Sequence, residues 1–169
     1  MTALARSLNA RCTAQRQLVT PLGRVTLART GRGLAGLWFE AQKHHPGALD
    51  VPERDDDPLL EEAAHQLAQY FAGDRSAFDL PLDLQGTPFQ QSVWQALTRI
   101  PPGRTCSYGA LARDLGMPAA VRAVGAAVGR NPASVLVPCH RVLGQDGSLT
   151  GYAGGVERKR ALLSLEARV

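Results

Sequence analysis

The stretch Ser107-Tyr-Gly-Ala-Leu-Ala-Arg-Asp-Leu-Gly-Met-Pro-Ala-Ala-Val-Arg-Ala-Val-Gly-Ala-Ala-Val-Gly-Arg130 decides how the second half of this chain is read. Ser107 suits a helix N-cap, because its hydroxyl can accept a hydrogen bond from a free first-turn amide. A short helix follows, Tyr108 to Leu115, with Leu111, Ala112 and Leu115 facing inward. Gly116-Met-Pro118 breaks it, and Pro118 opens a second helix, Ala119 to Arg130, whose core face is Val121, Val124 and Val128. Two short helices joined by a glycine-containing turn form a helix-turn-helix. The second helix is lined by small residues, among them Ala120, Ala123 and Gly125, so it can approach another surface closely; packing against a neighbouring helix would use the same residues. Arg122 is the lone long side chain on the early part of that surface. From Arg99 to Arg130 there are five arginines and one acid, Asp114.

Just beyond lies Val135-Leu-Val-Pro-Cys-His-Arg-Val142. Thiolate, not thiol, is the nucleophile, so a reactive cysteine needs a base or a positive charge beside it. His140 can be that base for Cys139, and Arg141 can add field. Neighbours on a strand point to opposite faces. Either the chain turns after Pro138, or a water carries the proton between thiol and imidazole. On residue type alone, an inert buried thiol is the commoner outcome.

Upstream, Thr87-Pro88-Phe89-Gln90 is a capping box with proline at the first helical position. Phe89, Val93, Leu97 and Ile100 make the buried stripe of the helix it opens. Downstream, Thr150-Gly-Tyr-Ala-Gly-Gly155 reads as a flexible loop with one aromatic, suited to border a ligand. Val156 to Ala167 is the final helix. In the first half, residues 1–16 show little pattern and read as a loose end. Leu18–Thr20, Arg24–Ala28 and Leu34–Phe39, separated by turn signals, form a small antiparallel meander. Asp57-Pro58 starts a helix with Leu60, Ala63, Ala64, Leu67 and Phe71 on one face, stopped by Gly73. Phe78–Leu84 is either a strand or a connector. His44 and His45 lack partners at ligand spacing and read as solvated loop residues. The division that results is residues 1–84 and residues 85–169.

Charge follows the same division. Residues 1–39 hold six arginines and no acid, residues 40–87 are net −8, and residues 88–169 are net +6. A basic region joined to an acidic one points the basic part at a polyanion. No apolar run reaches the length of a membrane span, and the N-terminus lacks the apolar core of a secretory signal. Three cysteines do not make a disulfide framework, so the expected setting is a reducing cytoplasm.

Ser107-Tyr108-Gly109, Arg122-Ala-Val-Gly125, Asn131-Pro132, Pro138-Cys-His-Arg-Val142, Gly151-Tyr-Ala-Gly-Gly155 and Leu162-Leu-Ser-Leu-Glu166 stand in one order and spacing. In these stretches residues 88–169 resemble the catalytic domain of the O6-alkylguanine-DNA alkyltransferases. Thr20-Pro-Leu-Gly23 and Tyr70-Phe-Ala-Gly73 carry a weaker likeness in the first half, and residues 1–16 lie outside it. The resemblance implies an α+β fold: a small ribonuclease-H-like α/β domain, then a helical, winged-helix-like domain carrying the helix-turn-helix. It implies irreversible, single-turnover transfer of the alkyl group from O6-alkylguanine, and from O4-alkylthymine, to Cys139. His140 would take the thiol proton through a water, Glu166 would orient the imidazole, and Tyr108 would donate a proton to the leaving guanine. Asn131 would brace the turn before Cys139, while Val142, Tyr152 and Ala153 would form the base pocket. Some relatives have Ser where this chain has Ala153, which puts one base contact in doubt. Because the target base is stacked, it must be extruded. Arg122 would fill the vacated stack, with Ser107, Tyr108, Ala120, Ala123 and Gly125 completing the surface on double-stranded DNA. The expected protein is a monomer without cofactor. No metal is expected either, since Cys12 and the histidines do not match the zinc pattern of some relatives. Two alternatives stay open: a non-enzymatic sensor of alkylated DNA, which would not need the reactive cysteine, and a Cys–His hydrolase, for which no oxyanion hole is legible.

Overall fold

A computed structural model of the chain describes residues 1–168. The chain divides into two compact units, Met1–Leu84 and a second beginning at Gln85. The mixed architecture agrees with the expected α+β class: a small sheet domain comes first and a helical domain second.

The first unit contains α1 (Ala3–Arg11), β1 (Cys12–Thr20), β2 (Gly23–Thr30), β3 (Leu34–Phe39) and α2 (Pro58–Phe71). The strands form an antiparallel sheet in the order β1-β2-β3, the expected meander. Gly23 closes the first hairpin at φ 117°, a conformation that only glycine adopts without strain. Strand β3 is buried along its whole length. Each edge strand carries one isolated bridge, Gln15 to Glu53 on β1 and Leu34 to Leu82 on β3. Residues 78–84 are therefore the connector rather than a strand. The connector passes so close that a Cβ on Gly33 would lie 2.8 Å from the Pro81 carbonyl oxygen.

Residues 1–16 are not a loose end. Thr2 caps α1 by accepting from the Ala5 amide, and Leu8 is buried against Cys12, Ala28, Ala35 and Trp38. The helix buries only Ala5 and Leu8, too few to mark an amphipathic face in the sequence. Helix α2 starts as expected. Asp57 Oδ1 accepts from the Leu59 and Leu60 amides, both at 3.0 Å, and pairs with Arg29 Nη1 at 3.0 Å. Tyr70 is buried on its face, whereas Phe71 and Ala64 are half-exposed.

The second unit contains α3 (Pro88–Leu97), β4 (Cys106–Ser107), α4 (Tyr108–Asp114), α5 (Val121–Gly129), a 3-10 turn (Cys139–Arg141), β5 (Val142–Leu143) and α6 (Val156–Glu166). The capping box at Thr87 and Gln90 is formed. Val93 and Leu97 are buried as expected, but Trp94 joins them and Phe89 and Ile100 are only partly covered. The Trp94 indole N–H donates to the Ala127 carbonyl at 2.8 Å and so ties α3 to α5. Ser107 caps α4 by accepting from the Ala110 amide at 3.0 Å. Helix α5 starts at Val121, not at Ala119. The Ala120 amide donates to the Met117 carbonyl, which closes a turn over Pro118 and Ala119 before the helix begins. Val121, the first residue of α5, is 38 % exposed and outside the core, while Val124 and Val128 are buried. Strands β4 and β5 pair in parallel and bring the end of the Cys139 segment alongside the start of α4.

Replacing Asp57 by Ala removes two amide acceptors and the partner of Arg29. Unfolding by urea is expected to show a loss of about 1–2 kcal/mol, against less than about 0.5 kcal/mol for Asp56→Ala at the exposed neighbouring position.

Candidate active site

Every residue from Asn131 to Val142 is buried. A buried loop must satisfy its own polar groups, and Asn131 does much of this. Its Oδ1 accepts from the Ala133 amide at 2.9 Å, and its Nδ2 donates to the Val137 carbonyl at 2.9 Å and to Cys139 Sγ at 3.1 Å. One amide thus clamps the loop and touches the sulfur. Val135 sits within this clamp at φ 72°, a conformation unfavourable for a β-branched residue, held there by the surrounding contacts.

Pro138 at φ −82° and ψ 60° turns the chain, and Cys139–Arg141 form a single 3-10 turn. The turn gives Cys139 and His140 different partners. The sulfur meets Asn131, while His140 Nε2 lies 2.6 Å from Glu166 Oε1. Arg141 grips the same carboxylate with two bonds, Nε to Oε2 at 2.9 Å and Nη2 to Oε1 at 2.7 Å, and donates from Nη1 to the Ile100 carbonyl at 2.6 Å. This is the paired-fork geometry in which charge-assisted hydrogen bonds are strong.

Burial alone would raise the Glu166 carboxyl, but the hydrogen bonds and charges of His140 and Arg141 outweigh it and hold the group at about 2. An ionised carboxylate only accepts, so Nε2 of His140 carries the ring proton and donates it. Burial keeps the imidazole neutral by lowering its pKa, against the pull of Glu166. The basic lone pair therefore lies on Nδ1, which is buried and has no hydrogen-bond partner among the described residues. Cys139 is 4 % exposed, and burial pushes its thiol up to about 11, against smaller lowering effects from Asn131 and Lys159. The resting sulfur is a neutral thiol beside a neutral base.

Tyr108, at the start of α4, donates its phenolic proton to the Thr150 carbonyl at 3.0 Å. Burial raises its pKa, with further contributions from Cys139 and Cys106, so it stays a phenol. The ring has close neighbours on two sides. A Cβ on Gly125 of α5 would be 3.7 Å from it, and one on Gly151 would be 2.8 Å from the hydroxyl oxygen. Tyr152 and Val142 are buried and Ala153 is half-buried; a Cβ on Gly154 would lie 2.6 Å from the Tyr152 ring. On the outer side of α5, Arg122 and Ala123 are exposed and Ala120 is partly exposed. The Ser107 hydroxyl is engaged in capping α4.

Two residues of this site have roles that the sequence does not display. Arg141, from its position a source of field, locks Glu166. Lys159 is fully buried and donates to the carbonyls of Val142 at 2.5 Å and Thr150 at 2.8 Å. The available signal was its position: Lys159, Leu162 and Glu166 fall on one helical face, so a lysine lies in a buried stripe. Cys12 and Cys106 have thiols raised by burial and belong to no site described above.

A buried cysteine held by Asn131, followed in the chain by a histidine bound to a buried carboxylate, in a unit that also carries a helix-turn-helix, is the arrangement of a protein that uses one sulfur on a nucleic-acid-binding scaffold. Comparison with known proteins bears on this. A family described as 6-O-methylguanine DNA methyltransferase, DNA binding domain, matches residues 88–168, and its ribonuclease-like domain matches residues 16–84. A methylated-DNA–protein-cysteine methyltransferase of Mycobacterium tuberculosis is 49 % identical over 89 % of this chain and 90 % of its own length. An inducible one from Bacillus subtilis is 49 % identical over 86 % and 80 % respectively. A crystal structure of Mycobacterium tuberculosis OGT in complex with DNA superposes with TM-score 0.84 at 47 % identity, covering 92 % of this chain and 94 % of that one. The chain belongs to the 6-O-methylguanine DNA methyltransferase family.

Glu166→Gln removes the charge that compensates Arg141 and replaces one of the two accepting oxygens by an NH2 donor facing His140 or Arg141. Breaking a buried pair in this way is expected to cost about 3–5 kcal/mol in urea unfolding. Because the folded carboxyl is depressed, its contribution is complete above the ordinary carboxyl pKa of 4.5 and is lost as pH falls toward about 2. Wild-type unfolding free energy should decline across that window more steeply than that of the Gln variant.

Proposed function

We propose that this chain repairs duplex DNA by moving the alkyl group of O6-alkylguanine, and of O4-alkylthymine, onto Cys139, once per molecule. The observation that carries the reading is Cys139 Sγ, held by Asn131 next to a neutral His140 whose Nε2–H is fixed by Glu166. The family membership and the methyltransferase names of the relatives agree with it.

In the step proposed, the sulfur attacks the alkyl carbon, the S–C bond forms and the C–O6 bond breaks. The thiol proton passes through a water to Nδ1 of His140, the one ring nitrogen free to accept it. Negative charge develops on the leaving guanine, and Tyr108 leaves the Thr150 carbonyl to supply a proton there, help typically worth about 10²–10⁴ in rate. The product thioether has no hydrolytic route, so the sulfur is not regenerated. Val142, Tyr152 and Ala153 would line the base pocket. Arg122 would occupy the gap left by the extruded nucleotide, with Ala120, Ala123, Gly125 and Ser107 allowing a shallow approach to the duplex. Contacts of this kind to backbone and groove are tolerant of sequence, as a repair protein needs. A relative solved in complex with DNA agrees with DNA as the partner. The chain would act as a monomer in the cytoplasm; its three free cysteines agree with a reducing compartment.

Incubation with duplex DNA bearing O6-methylguanine should add one methyl group to the Cys139 peptide, mole for mole, by peptide mass spectrometry. An unchanged peptide mass in folded, reduced protein would falsify the assignment. Cys139→Ala should retain affinity for the damaged duplex and lose transfer altogether. Arg122→Ala should slow reaction with the duplex far more than reaction with free O6-benzylguanine, because only the duplex requires a base to be displaced; equal losses on the two substrates would remove that role.

A further inference from the structure

We infer that Arg141 is a positioning residue for the base: its guanidinium answers the charge of Glu166, so that His140 stays a neutral imidazole with Nδ1 open to the thiol proton. The inference rests on reading Cys139 as the nucleophile and His140 as its base.

Glu166 Oε1 takes two donors, His140 Nε2 at 2.6 Å and Arg141 Nη2 at 2.7 Å, and Oε2 takes Arg141 Nε at 2.9 Å. All three side chains are buried, His140 completely. A carboxylate at that depth stays ionised only when a cation stands against it. Both side chains bonded to it here are able to carry that charge, with different consequences. Imidazole becomes a cation by holding a proton on each nitrogen, and Nδ1 is then a donor with nothing to offer a thiol. That extra proton would also be buried at an atom with no hydrogen-bond partner among the described residues. Guanidinium is charged at every working pH and surrenders no acceptor by being so. With Arg141 in place, carboxylate and guanidinium cancel, and the imidazole contributes a hydrogen bond and no charge. The residue next to His140 in the chain thus decides which ring nitrogens hold protons.

The same contacts fix direction. The carboxyl plane of a glutamate turns easily about its last side-chain bond. Two bonds from Arg141 hold that plane, and Arg141 is anchored in turn through Nη1 to the Ile100 carbonyl at 2.6 Å. Oε1 therefore stays against Nε2, and the opposite edge of the ring keeps Nδ1 as its acceptor. The other ionisable groups around the imidazole do not take the place of Arg141. Cys139, on the same turn, is a thiol at rest. Lys159 of α6 donates to the Val142 and Thr150 carbonyls. Helix α3, which also packs on the turn, has no ionisable side chain. Burial lowers the His140 pKa first, Glu166 raises it, and Arg141 lowers it again, which agrees in direction with the contacts.

The test is nitrogen-15 NMR of the His140 ring in wild type, Arg141→Gln, Arg141→Lys and the double variant Arg141→Gln with Glu166→Gln. His44, His45 and His65 are replaced by Asn in every sample, so that one imidazole is read. At neutral pH the wild-type ring should be neutral with its proton on Nε2. In Arg141→Gln the ring should hold both protons at neutral pH; a titration moved to about one unit above the working pH leaves about a tenth of the ring as base. Transfer from O6-methylguanine duplex should then slow by about tenfold, and the deficit should close as pH rises past the new titration. Arg141→Lys keeps a cation without the fork, so its ring should stay neutral and most of the rate should return. Removing the Glu166 charge as well should restore the neutral ring. An unshifted ring in folded Arg141→Gln overturns the inference, as does a loss of rate that is equal at every pH. Should Arg141→Gln fail to fold, wild type and Arg141→Lys carry the test, and an imidazolium at neutral pH in either overturns the inference. A shifted ring in Arg141→Gln, where the wild type takes no methyl group from DNA, would keep the charge coupling and remove the function proposed above. Methyl transfer with an unshifted ring would do the reverse.

Discussion

Glu166 is a single carboxylate, 3 % exposed, that takes hydrogen bonds from both His140 and Arg141. An ionised group at that depth persists only when its charge is answered and its lone pairs are used. Arg141 answers the charge and His140 completes the bonding. The consequences spread outward. The last turn of α6 is pinned to the 3-10 turn that carries Cys139, and through Arg141 the same network reaches the Ile100 carbonyl just after α3. The protonation pattern of His140 follows as well, since a carboxylate that can only accept obliges Nε2 to donate and leaves Nδ1 basic.

This arrangement stores the nucleophile rather than exposing it. Burial raises the thiol to about 11 and leaves it 4 % exposed, the opposite of the accessible thiolate that oxidants and electrophiles favour. Such protection suits a sulfur that can be used only once. Its neighbours are a neutral imidazole and the Asn131 amide on the sulfur. The imidazole is fixed by Glu166 and the amide by the Ala133 and Val137 backbone, so little reorganisation is left for the moment of reaction, which is the condition under which fixed dipoles and charges act most strongly.

Much of the framework was legible in local chemistry. Asp57, Thr87 and Ser107 announce helix starts because a side-chain oxygen next to free amides does the same thing in any context. The meander could be read because Pro21-Leu22-Gly23 and Gly31-Arg32-Gly33 leave the chain few other ways to proceed. Helix α1 could not, since its stability comes from Leu8 packing into a pocket made by residues far along the chain. Helix α5 starts two residues later than the sequence predicts because Pro118 fits either a helix start or a turn, and the Met117 carbonyl, accepting from the Ala120 amide, selects the turn.

At the site, Cys139 and His140 came forward from their chemical types, whereas Glu166, Asn131 and Tyr108 came forward only through the resemblance to the alkyltransferases. What the sequence could not state was how charge is distributed among them. That Glu166 serves the Arg141 cation and a neutral imidazole together, that Nδ1 rather than Nε2 is basic, and that Lys159 is buried on two carbonyls all depend on distances between segments remote in the chain. Electrostatic interaction in a low-dielectric interior depends on those distances and on the exclusion of water. Both exist only once the helices have packed.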